Sequence, residues 1–96
     1  MNIEVGMGGS VHLHSDIYPV TVIEVWSAAE VKVQKDTWKK APEGSTEEYE
    51  ISRDPNGEIE VFTLRTNGQW IRTGDPTKRG IRLTLGQRER YYDRSF

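Results

Sequence analysis

The chain has 96 residues, of which 34% are hydrophobic and 29% charged, with a formal net charge of −2 at pH 7. That length holds a single domain, residues 1–96, and the lack of cysteine excludes disulfides, thiolate zinc centres, iron–sulfur clusters and cysteine nucleophiles. The longest apolar run falls far short of the ~18 residues of a membrane helix, and the opening residues lack a basic-then-apolar leader pattern, so the composition predicts a small, soluble, intracellular, β-rich domain with no membrane partner.

Period-two alternation recurs along the chain and predicts strands. Ile3, Val5 and Met7 alternate with Asn2, Glu4 and Gly6 in a first run. Gly8-Gly9-Ser10 reads as a turn before Val11 and Leu13, which alternate with His12 and His14. Tyr18 to Trp26 is the richest stretch in β-formers, with apolar residues on both faces, as in a central strand. Val31 and Val33 alternate with Lys32, Gln34 and Asp36. Residues 37–48, with Pro42, Gly44 and three glutamates, read as an exposed loop. Tyr49 and Ile51 make a short run, and Asp54-Pro55-Asn56-Gly57 a tight turn. Ile59 to Leu64 follows. Asn67-Gly68 signals a two-residue type I′ hairpin, which would set Arg65 opposite Trp70 and Leu64 opposite Ile71, the latter pair in the core. Ile81, Leu83 and Leu85 alternate with Arg82 and Thr84. The polar segment from Gly86 to Phe96, with Tyr91, Tyr92 and Phe96 embedded, could form a short helix, a final strand or a packed tail. Six or seven short strands with turn chemistry between them predict an all-β domain: a small SH3-like barrel of about five to seven antiparallel strands, closed so that few edges stay open.

Charge is unevenly placed. Residues 1–60 carry five Lys or Arg against twelve Asp or Glu, a net of −7, whereas residues 61–96 carry eight against three, a net of +5. Seven of those eight cations are Arg65, Arg72, Arg79, Arg82, Arg88, Arg90 and Arg94. Arginine presents a planar fork that matches phosphate or carboxylate. Either the two halves pair across one barrel, or the second half faces an anionic partner. A sequence pI near 5.7 argues against nonspecific binding of duplex DNA.

His12 and His14 share one face of a strand and could take a metal with Asp16, but two polar residues opposite buried Val11 and Leu13 explain them as well. Gly6-Met7-Gly8-Gly9-Ser10 lacks the Lys-Ser/Thr of a phosphate loop. Ser10, Ser15 and Ser27 show no nucleophile-elbow pattern, and the pairs Glu47–Glu48 and Glu58–Glu60 fit a solvated face. The reading therefore expects no catalytic residue, no metal and no cofactor. The ligand-binding candidates are Arg65, Trp70, Arg82, Arg88, Tyr91, Tyr92 and Arg94, because rings stack on bases while guanidinium forks grip phosphates. The competing reading packs Tyr91, Tyr92 and Phe96 against the barrel and leaves the arginines solvated or facing the acidic half.

Two resemblances add to these residues. Val5-Gly6, Val11, Ser15-Asp16-Ile17-Tyr18-Pro19-Val20-Thr21-Val22-Ile23-Glu24-Val25 and Val31-Lys32-Val33-Gln34-Lys35-Asp36 resemble the opening strands of Tudor-like and KOW-like SH3 barrels. In Tudor domains several aromatics cage a methylated cation, and here Tyr18, Trp26 and Trp38 are the residues that could serve. The whole chain, through Val61-Phe62-Thr63-Leu64-Arg65, Asn67-Gly68-Gln69-Trp70 and the ending Tyr91-Tyr92-Asp93-Arg94-Ser95-Phe96, is similar to a family of small uncharacterised bacteriophage proteins. That resemblance implies a viral origin and an accessory role in the host cytoplasm, and the absence of a catalytic pattern among the residues makes the expected protein non-enzymatic. It would inhibit a host antiviral factor by binding a host protein or sequestering a small anionic nucleotide, as a monomer or a homo-oligomer. The alternative is an SH3-like barrel that binds RNA or single-stranded nucleic acid.

Overall fold

Valine supplies five of the buried apolar side chains, and each lies on a strand, as expected of a residue stiff at χ1 that packs well on a pleated surface. The computed structural model describes residues 3–13, 16–44 and 49–86, together with the backbone of 91–92. Its strands are β1 (Gly8–His12), β2 (Asp16–Ser27), β3 (Glu30–Lys35), β4 (Thr37–Lys40), β5 (Tyr49–Ser52), β6 (Ile59–Leu64), β7 (Trp70–Arg72), β8 (Arg82–Leu85) and β9 (Tyr91–Tyr92), and no helix occurs among the described residues.

Six strands close on themselves in the order β1-β8-β7-β6-β3-β2, with β2 pairing back to β1. All these pairs are antiparallel. The all-β antiparallel barrel expected from the alternation is thus present. Closure leaves none of these six with an open edge. The long β2 makes closure feasible. Its Ile17–Thr21 segment pairs with β1 and its Val20–Ser27 segment with β3, with register shifts between Val22 and Glu24 and between Val25 and Ser27. Such irregularities bend a strand and increase its twist. At its N-terminal end β2 also pairs with β9, so the chain's last described residues form a strand. The ribbon β4–β5 stands outside the barrel.

The core cluster is Val11, Tyr18, Val20, Val22, Val31, Val33, Phe62 and Leu83. Each fully buried aliphatic or phenyl side chain stabilises the fold by roughly 1.5–3 kcal/mol relative to exposure.

Three local expectations need correction. Gly8-Gly9-Ser10 is not a turn but most of β1, bonded on both sides by β2 and β8. The turn lies upstream, where the Met7 amide donates to Glu4 O at 3.1 Å and Gly6 adopts φ +97°. The stretch 37–48 is not wholly loop, since Thr37–Lys40 pairs with Tyr49–Ser52. The β6–β7 hairpin has three loop residues rather than two. Arg65 N donates to Gln69 O and Gly68 N to Arg65 O, both at 2.9 Å. Gly68 alone in that loop has positive φ, +83°, as in a type I turn completed by a left-handed glycine. Leu64 therefore faces Trp70, and Thr63 faces Ile71.

A one-residue slip moves every side chain to the other face. Trp70 accordingly packs against the core cluster. Ile71 is nevertheless buried at 2% exposure, as expected, beside that cluster and with Gly80 seated against it. Leu64 remains 36% exposed and is not core.

Candidate anion-binding groove

The loop between β7 and β8 is built around one carboxylate. Arg72 Nε donates to Asp75 Oδ2 at 3.1 Å and its Nη2 to Oδ1 at 3.2 Å, while the Ile81 amide donates to Oδ2 at 3.0 Å. The Ile81 amide and then the Arg72 guanidinium hold the Asp75 carboxyl below its ordinary value of 3.8. The hydrogen bond to Asp75 also pushes the Arg72 guanidinium up. Arg65 fastens the same loop from β6: its Nη2 donates to Asp75 O at 2.9 Å and Arg72 O at 3.3 Å, and its Nη1 to Thr77 Oγ1 at 3.1 Å. Pro76 O accepts from the Gly80 amide at 2.7 Å and from the Arg79 amide at 3.2 Å. This tight turn leaves the Lys78 and Arg79 side chains exposed.

An open groove of about 530 Å³ runs beside this turn, lined among others by His12, Thr77, Lys78, Arg79 and Arg82 over the buried Ile71. Among the described residues no carboxylate lines it. Among the described residues no ion pair or side-chain hydrogen bond engages Lys78, Arg79 or Arg82. His12 Nε2 lies 2.9 Å from Thr84 Oγ1. A neighbouring recess of about 440 Å³ is walled by Trp70, Leu83 and Leu85. Gln69 and Arg82 line both spaces. Three cations with no carboxylate between them would attract a multiply charged anion, and the arginine forks suit phosphate oxygens.

The seven ligand-binding candidates divide in four. Trp70 and Arg82 come together at the recess. Arg65 spends its Nη donors on the loop's oxygens. The cation–π pairs among the described residues do not include Arg65 with Trp70. They are Lys32 with Trp26 at 5.9 Å, Lys35 with Tyr18 at 4.5 Å and Lys35 with Trp38 at 5.3 Å. Arg88 and Arg94 lie outside the described residues. Tyr91 and Tyr92 are described in backbone only, opposite Ile17 and Asp16. His14 of the weighed metal trio also lies outside the described residues, among which no metal-ligating cluster occurs. Lys78 was missed by sequence reasoning, and Arg79 entered only as part of the arginine count. Two adjacent cations between Pro76 and Gly80 were the signal available.

The other end of the charge pattern is used internally. Tyr18 donates to Glu60 Oε1 at 2.7 Å. Burial, followed by that bond and the Glu60 charge, pushes the Tyr18 phenol well above its ordinary value. Glu60 Oε2 is 3.9 Å from Arg72 Nη1, and of the ion pairs among the described residues this one joins the acidic and basic parts of the chain. Tyr18 and Trp38 close on the chain's own Lys35, while Trp26 sits with Lys32.

No protein-family model, curated protein or solved structure matches the chain. The structure supports the resemblance to SH3-like barrels at the level of a small, closed, six-stranded antiparallel barrel.

Proposed function

We propose that this chain is a non-enzymatic binding protein that captures a small phosphorylated anion in the groove of Lys78, Arg79 and Arg82. One observation carries the reading: three exposed cations without side-chain partners line a single groove in which, among the described residues, no carboxylate stands. Unspent guanidinium and ammonium groups at that spacing favour a ligand that brings several negative charges together. The resemblance to small phage proteins supplies the biological setting, a phage accessory protein that sequesters a nucleotide signal in the host cytoplasm and so blunts a host defence.

Isothermal titration with inorganic pyrophosphate tests the groove. The wild type binds, binding weakens as salt is added, and the double variant Lys78→Ala/Arg79→Ala loses about tenfold or more in affinity, one factor of ten being about 1.4 kcal/mol. Equal affinity in the double variant, or no heat at low salt in the wild type, would refute the reading.

A second reading, binding of single-stranded nucleic acid, is favoured by the position of Trp70 beside Arg82. It predicts affinity that rises with oligonucleotide length and falls steeply with salt.

A further inference from the structure

The recess beside the cations differs from the groove in chemistry. Trp70, half-buried, and Leu85 supply its apolar lining over the buried Leu83, and Gln69, Arg82 and Thr84 its polar lining. Its rim is the backbone of Gly68, where a side chain would meet nothing within 4 Å. An apolar wall with an aromatic face is a seat for a planar ring, whereas phosphate is stabilised by the cations next door. Arg82 and Gln69 border both spaces, so the two compartments share part of their lining. At about 440 and 530 Å³ each falls within the ~300–1,000 Å³ of small-molecule sites.

We infer that groove and recess form one bipartite site for a free nucleotide, with the base in the Trp70 recess and the phosphates at Lys78, Arg79 and Arg82. This rests on the anion-binding reading of the groove. Among the described residues Trp70 is the one aromatic lining either space, which favours a free nucleotide over a polymer. Single strands are held on successive stacking platforms. The Gln69 amide, bordering both compartments, can donate to and accept from the base or the sugar hydroxyls.

The test compares adenosine diphosphate with inorganic pyrophosphate on the wild-type protein by isothermal titration. The bipartite site predicts that the nucleotide binds about tenfold or more tighter, the scale of one stacked base, and quenches tryptophan fluorescence. Trp70→Leu then removes most of that advantage while leaving pyrophosphate affinity within about twofold, less than about 0.4 kcal/mol. Equal affinity of the two ligands for the wild type overturns the base seat and leaves the groove reading standing. Failure of both to bind overturns the groove as well. Tighter binding of a ten-residue oligothymidylate than of adenosine diphosphate overturns the assignment to a free nucleotide. The wild-type comparison decides the matter even if the Trp70 variant folds poorly.

Discussion

Replacing Gly80 by alanine tests whether the cationic turn is as tightly built as its contacts imply. A Cβ at this position would collide with Ile71 Cγ2, and would lie 2.7 Å from Asp75 Cβ and 2.8 Å from Pro76 O. None of the three can yield as a flexible side-chain tip would. Ile71 is buried at 2% exposure, Asp75 is tied by Arg72 and the Ile81 amide, and Pro76 O already accepts two amides. Overpacking of a rigid site costs typically ~1–3 kcal/mol, and three fixed neighbours place this case in the upper part, ~2–3 kcal/mol. At ~4–8 °C per kcal/mol for a domain of this size, Tm falls by roughly 8–24 °C. Circular dichroism melts of wild type and Gly80→Ala read the shift, and titration with pyrophosphate reads the groove. We expect lower Tm together with weaker binding, because the same turn carries Lys78 and Arg79. A variant that melts within about 2 °C of wild type and binds equally well would refute the reasoning.

Other outcomes follow from the core and from two titrating groups. Phe62→Ala empties a fully buried position between β3 and β7 and should cost ~3–5 kcal/mol in urea unfolding; a loss below about 1 kcal/mol would mean that Phe62 is not packed as described. The raised Tyr18 phenol contributes stability that is fully present below its ordinary value of 10.0 and lost as pH rises through the folded-state value. In ultraviolet titration of the folded protein, the difference between wild type and Tyr18→Phe should therefore show no phenol ionising near 10.0; a normal titration there contradicts the Tyr18–Glu60 bond. The lowered Asp75 carboxyl works in the opposite direction. Its contribution is intact above 3.8 and lost as pH falls below that through the folded-state value. The Ile81 amide resonance should follow that titration with a midpoint below 3.8, and a midpoint at or above it would contradict the Asp75 contacts.

The barrel was legible in the sequence where side chains carry the signal. Val11, Val20, Val22, Val31 and Val33 fall on strands because branched side chains fit a pleated, buried surface. Gly8-Gly9-Ser10 was not legible as β1 because glycine punctuates most chains; here ladder bonds from both β2 and β8 override that preference. Asn67-Gly68 suits a two-residue loop and a three-residue loop alike, so the motif located the hairpin but not its register. That single step decided which residue of β6 each residue of β7 faces, while Ile71 is buried as expected. Of the site, Trp70 and Arg82 could be picked out by residue chemistry. Lys78 and Arg79 lie in an irregular loop, where periodicity is silent. The use of Arg65 to hold that loop depends on carbonyls seven and ten residues away, which no local pattern encodes.

The most direct measurement is two-dimensional amide NMR of the isotope-labelled protein during titration with adenosine diphosphate. Groove and recess together predict concerted shifts at Lys78, Arg79, Gly80 and Arg82 and at the Trp70 indole, with the Tyr18–Lys35–Trp38 cluster unmoved. Shifts centred on that cluster, or a spectrum unchanged at millimolar ligand, would contradict the assignment.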